Sequence, residues 1–96
     1  MKGTLFEWDE DKALRNLGKH GVSFELASEV FRDFFGFETL DLESEPGEIR
    51  YLVIGMAKGL LLTVVYTERD YHIRIISARE ATKHEQNAYY LSQTTE

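Results

Sequence analysis

"RYLVIGMAKGLLLTVVYTERDYHIRIISARE", residues 50–80, decides the fold. Val, Ile, Leu, Thr and Tyr dominate it, and two short polar breaks, "AKG" and "ERDY", interrupt it. Such side chains suit a pleated, half-buried chain, and breaks of that length suit hairpins. The stretch therefore predicts three strands, Arg50–Met56, Leu61–Thr67 and Tyr71–Ser77, in an antiparallel meander. "LLLTVVYT" is nearly continuously apolar, which places it at the centre, covered on both faces at least in part. Upstream, Thr39–Glu43 reads as a fourth strand, joined through "SEPGE".

Further towards the N-terminus the apolar period changes. "FELASEVFRDF" (24–34) carries Phe24, Ala27, Phe31 and Phe34 at helical spacing, with Ser23 as N-cap and Gly36 beyond its end. Another helix is expected from Asp9, its N-cap, to about Lys19. Glu10 and Asp11 occupy the first turn, Lys19 and His20 the last, and Gly21 the C′ position. Leu14 and Leu17 give it a narrow apolar stripe. "TLFEW" before it, with Phe6 and Trp8 on one side, predicts an edge strand. On the C-terminal side "SARE" reads as a capping box from Ser77 to Glu80, opening a helix to about Leu91. That helix has little to bury (Ala78, Ala81, Ala88, Tyr89 and Tyr90), which leaves room for burial against another chain. The polar end "SQTTE" is expected to fray. The expectation is an α+β fold: a small antiparallel sheet, two N-terminal helices and one C-terminal helix, in a single domain spanning 1–96.

Composition limits the function. A chain of 96 residues with 43% hydrophobic side chains has room for one core. It has no cysteine, which excludes a disulfide framework and a thiolate metal site and fits the cytoplasm. "MKGTLFEWDEDK" turns acidic and does not resemble a signal peptide, and the run Leu60–Tyr66 is too short to cross a bilayer, so a soluble protein is expected. The net charge of −6 opposes nucleic-acid binding. Its distribution does not: residues 1–48 hold five Lys/Arg against twelve Asp/Glu, whereas residues 49–96 hold six against five. Four of those six are arginines, Arg50, Arg69, Arg74 and Arg79, in or beside predicted strands. His20, His72 and His84 are scattered and make no zincin pattern. No phosphate loop, nucleophile elbow or nucleotide fingerprint is present.

"FEWDEDKALRNLGKHGVSFELASEVFRD", then "RYLVIG", "TVVYTER" and "RIISAREATKHEQNAYY", resembles the BrnT toxins of bacterial type II toxin–antitoxin systems, from Phe6 to about Tyr90. The resemblance implies a RelE-like fold and an endoribonuclease that stops translation. It also implies neutralisation by a BrnA-type ribbon-helix-helix antitoxin, in complexes of two toxins and two antitoxins. Operator DNA would then be met only through the antitoxin, and no membrane is involved. Self-association without antitoxin is compatible with the thin last helix.

Cleaving RNA without a cofactor has three needs: a base for the 2′-proton, cations for the phosphoryl oxygens and an acid for the leaving oxygen. Histidine and arginine suit those tasks. The candidates are Lys19, His20, Arg50, Arg69 and Arg79. Lys19 and His20 are equally sufficient as helix-end cations. Arg79, placed in the first turn of the last helix, opposes the helix dipole and calls for an anion, either phosphate or Glu68, Glu80 or Glu85. Arg74 shares a strand face with His72 and Ile76, a solvated or antitoxin-covered one. Tyr66 reads as core with a hydrogen-bonded hydroxyl, and Glu68 serves as a base only if buried or paired. Trp8, Phe24, Phe31 and Phe34 are assigned to the core. Two other classes fit the same residues: a catalytically inactive binding module or DNA co-repressor, and a metal-dependent nuclease. A structural subunit is a further, plainer reading.

Overall fold

The computed structural model describes residues 5–93. Its elements in chain order are β1 (Leu5–Glu7), α1 (Glu10–His20), α2 (Phe24–Ser28), β2 (Phe37–Leu40), β3 (Tyr51–Ala57), β4 (Leu60–Arg69), β5 (His72–Glu80) and α3 (Lys83–Ser92). The strands form one sheet in the order β1-β5-β4-β3-β2, which puts the apolar β4 in the middle. From β2 to β5 the pairing is antiparallel, as the short connections require. Lys58 (φ 47°) and Gly59 (φ 85°) turn β3 into β4, and Asp70 (φ 51°) and Tyr71 (φ 67°) turn β4 into β5. Two successive residues at positive φ match the right-handed twist of the flanking strands.

The sheet is not wholly antiparallel as the sequence suggested. β1 is the expected edge strand but pairs parallel to β5, Phe6 beside Ile73, because the chain crosses the sheet through the helices before it reaches β5. β2 also falls earlier than expected, at 37–40 in place of 39–43, since Phe37 sits opposite Ile54 and packs with it.

Period-two alternation separates the faces. Val53, Val64 and Ala78 lie in register on one face, under α1 and α2, in a core that includes Val22, Phe24, Ala27, Val30 and Ile75. Ile54, Thr63 and Arg79 lie in register on the other, where Ile54, Ala81 and Tyr89 form a smaller cluster under α3. α3 covers only part of that face.

Three helical expectations are corrected. The helix expected over 24–34 ends at Ser28 and tightens into a 3₁₀ turn, Glu29–Arg32. A Cβ on Gly55 would lie 2.9 Å from Val30 Cβ, so Val30 seats directly on the β3 backbone. Phe31 then meets Phe6 and Tyr66, with ring centroids 5.3 and 5.0 Å away, and Phe34 is left 92% exposed, outside the core assigned to it. In α1 the Asp9 cap and the left-handed Gly21 are as expected, but Leu14 and Leu17 are 66% and 45% exposed. The helix docks through Ala13 and Asn16 in their place. Finally, α3 starts later. β5 stays paired to β4 as far as Glu80, opposite Leu62, so Ser77–Glu80 is strand, and the capping box is Thr82 with Glu85.

Asp33 links the two sides of the sheet. Its carboxylate accepts from the Tyr89 hydroxyl (2.5 Å) and from the backbone N–H groups of Met56 (2.8 Å) and Phe35 (2.9 Å). Among the described residues no helix is long and apolar enough to cross a membrane.

Candidate functional site

β1 pairs with β5 only at His72–Arg74, so the outer edge of β5 beyond Arg74 is left without a strand neighbour. Asn16 takes that place. Its side-chain amide donates to Ala78 O (2.8 Å) and Val22 O (3.0 Å), while its oxygen accepts from Ala78 N (3.2 Å). Only 8% exposed, Asn16 satisfies the strand edge and fixes α1 against it. Just below, the β4–β5 register slips: Val65 faces Ser77 and Tyr66 faces Ile75, so Ile76 is the extra residue of a bulge. The face row expected to hold Arg74, His72 and Ile76 therefore holds Ser77 where Ile76 was placed. Bulges redirect side chains and frequently border sites.

A groove of about 400 Å³ opens there, lined by Lys12, Arg15, Asn16, Lys19, His20, Ile76 and Ser77. Lys19 and His20 are thus brought together with two cations the sequence reading did not select. Helical spacing explains it: positions 12, 15, 16 and 19 recur every three or four residues and share a side of α1. The signal was present in the sequence but obscured by Asp9, Glu10 and Asp11 immediately before it. None of Lys12, Arg15, Lys19 and His20 forms an ion pair with a described residue. Among the described residues no carboxylate lines the groove. Three other grooves are each edged by carboxylates: Glu48 and Glu68, Asp41 and Glu43, or Glu68 and Asp70.

The arginines are distributed differently. Arg79 is a β5 residue opposite Thr63, not a first-turn helix residue, so the dipole conflict does not arise. It pairs with Glu85, one of the three carboxylates expected as its partner, through two 2.8 Å hydrogen bonds. Arg50 pairs with Glu48 (3.1 Å), and Arg74 and His72 both approach Glu7, at 3.3 and 3.5 Å. Arg69, at the end of β4, has no ion pair among the described residues. Arg69 stands opposite His72 and Arg79 opposite Thr63, a separation of six residues along β4, or about 20 Å. One phosphate cannot touch both. Arg79 lies nearer Lys19 and His20: Ser77, in their groove, is two residues away on the same face.

Tyr66 is on the helix-covered face, against Phe31 and Tyr51, and donates to Glu38 (2.9 Å). Burial, then that bond and nearby carboxylates, push its pKa well up, so the phenol stays protonated. Among the described residues no three His, Asp or Glu side chains gather as a metal-binding set.

Glu85 is the most perturbed carboxylate near the site. The Arg79 bonds chiefly, against the opposing effect of burial and with help from Thr82 N–H and the Thr63 hydroxyl, lower its pKa to about 2. An unfolded glutamate titrates near 4.5, so on acidification the unfolded chain takes up the proton first. The stabilisation is complete above roughly pH 5 and is lost as pH falls towards the folded value. Thermal melts of wild type and Glu85→Gln should differ by several degrees at pH 7, draw together below pH 5 and converge only as pH approaches 2; an unchanged gap would deny the pair its role.

A family model for the ribonuclease toxin BrnT of type II toxin–antitoxin systems matches residues 8–85. The chain belongs to the BrnT family. The match takes in α1, the bulge and the Arg79–Glu85 pair, and stops before the second half of α3. No curated protein matches the chain. Membership in the BrnT family makes the chain a ribonuclease toxin of a type II system and implies an antitoxin as its partner.

Proposed function

We propose that this BrnT protein is an endoribonuclease with a RelE-like toxin domain that cuts RNA with its own side chains, and that the groove between α1 and β5 holds the scissile phosphate. The observation that carries this reading is the convergence of Lys12, Arg15, Lys19 and His20 in an acidic chain, with no carboxylate of the described residues paired to them or lining the groove. Unneutralised cations in one concavity favour an anion.

In the reaction the 2′-oxygen forms a bond to phosphorus and the bond to the 5′-oxygen breaks, leaving a 2′,3′-cyclic phosphate and a 5′-hydroxyl. His20 moves a proton at one of these two oxygens, and Lys19 helps hold the phosphoryl charge. Arg79, across Ser77, reaches the same phosphate once it shares or releases Glu85. Arg50 and Arg69, too distant for that, hold flanking phosphates. No metal takes part. A cytoplasmic BrnA-type antitoxin, two copies to two toxins, would neutralise the activity and carry the complex to operator DNA.

Purified protein should cut single-stranded RNA equally well with and without chelator. Lys12→Glu/Arg15→Glu should raise KM about 10-fold or more with its fold intact, since about two phosphate contacts are reversed in sign. Loss of cleavage in chelator would make the enzyme metal-dependent. One observation favours a second reading: Arg79 and Arg50 are already engaged by Glu85 and Glu48. That fits a catalytically inactive module acting through its antitoxin, which would leave RNA intact under all conditions.

A further inference from the structure

The turn between β4 and β5 is tight, with φ of 51° at Asp70 and 67° at Tyr71. Aspartate tolerates that left-handed conformation, whereas an aromatic residue is strained there. Strain of this kind is ordinarily offset by packing, but Tyr71 is 101% exposed and stacks on no described ring. Fold stability therefore gains nothing visible from tyrosine over glycine at this position, and strained residues cluster where function holds them.

What surrounds the ring indicates a ligand. Tyr71 lines a groove with Glu68, Arg69, Asp70, His72 and Ile73. Arg69 and His72 are cross-strand partners, and on β5 His72, Arg74, Ser77 and Arg79 follow one another on the same face. That row runs from the proposed cleavage groove, which includes Ser77, to the turn. Glu68 and Asp70 disfavour a phosphate at the ring itself, while an uncharged flat base meets no such penalty and leaves Arg69 for the adjoining backbone. We infer that Tyr71 is a stacking platform for a nucleobase of the RNA, a few nucleotides from the scissile bond, with Arg69 over the adjoining backbone. Ser77 and His72 are five residues apart on β5, about 16 Å. The contact therefore serves substrate binding and leaves the chemical step alone. Base–aromatic stacking tolerates every base.

The inference rests on the ribonuclease reading and is tested with Tyr71→Gly and Tyr71→Trp in the full chain. Tyr71→Gly should melt at a higher temperature than wild type, because glycine accepts the turn. Its KM for a single-stranded RNA oligonucleotide should nonetheless rise about 10-fold, with kcat within about twofold. Tyr71→Trp should keep the wild-type KM. An unchanged KM in Tyr71→Gly overturns the inference, and so does a variant that loses only antitoxin binding, since the ring would then serve a protein. If wild type leaves RNA uncut, the ribonuclease reading falls separately. Anisotropy with the same oligonucleotide in uncleavable 2′-O-methyl form then decides on Tyr71: about 10-fold weaker binding by Tyr71→Gly supports stacking, and equal binding refutes it.

Discussion

A folded His20→Ala protein should cleave single-stranded RNA about 10²–10⁴-fold more slowly than wild type, the usual contribution of one positioned proton-transfer group. The residue is solvent-exposed at the last turn of α1, in a groove whose other charged side chains are Lys12, Arg15 and Lys19. If it served only to complement the helix dipole, its loss would cost about 0.3–1 kcal/mol of stability and leave the rate alone. The two roles therefore separate cleanly. In a host poisoned by the protein, His20→Ala should restore growth at equal expression. Undiminished toxicity from the folded variant would remove His20 from the mechanism and leave the groove as an RNA-binding surface.

The largest expected loss of stability follows from Asp33→Ala. Burial alone would raise the pKa of this carboxylate, yet the bonds from Tyr89, Met56 and Phe35 outweigh it and hold the pKa below the ordinary value. Removing it leaves the Met56 N–H and the phenol of Tyr89 without their acceptor, and Tyr89 is only 3% exposed. Charge-assisted hydrogen bonds and orphaned buried donors of this kind are worth about 2–4 kcal/mol together. For a chain of this size that corresponds to a fall in Tm on the order of 10–20 °C. The phenol of Tyr89, pushed up to about 12 by burial first and then by Asp33, remains a donor throughout neutral pH. Tyr89→Phe should lose less, because Asp33 keeps its two backbone donors and the ring still fills its place. Equal losses in the two variants would show that α3 is held by the ring and not by the clamp.

The hairpin region was legible because both of its signals are local. Apolar runs of strand length and two-residue turns need no knowledge of the rest of the chain, and β3, β4 and β5 fall close to their expected bounds. The same holds for the Asp9 and Ser23 caps and for Gly21, each a short-range preference of one side chain or one φ angle. Errors began where strand pairing overruled a local motif. "SARE" fits the capping-box pattern, but the pairing of Arg79 with Thr63 and of Glu80 with Leu62 assigns it to strand and moves the box to Thr82 and Glu85. Leu14 and Leu17 looked like the docking stripe of α1. The strand edge left open by a three-residue β1 needed an amide more than it needed a leucine, and Asn16 was buried in their place.

The candidate site divides along the same line. Which side chains are cationic, and that Lys19 and His20 close a helix, is a property of the chain itself, because it depends on residue identity and neighbours a few positions away. Which cations are free to meet an anion is not. Glu48 lies two positions from its partner, Glu85 six and Glu7 67; the sequence offers candidates, as it offered Glu85 to Arg79, but does not decide which pairs close. Register and the bulge at Ile76 decided that Arg79 lies near the groove while Arg69 lies about 20 Å from Arg79 along the strand. Charge is carried by single residues, whereas its neutralisation requires two of them to be brought together, and that is the work of the tertiary structure.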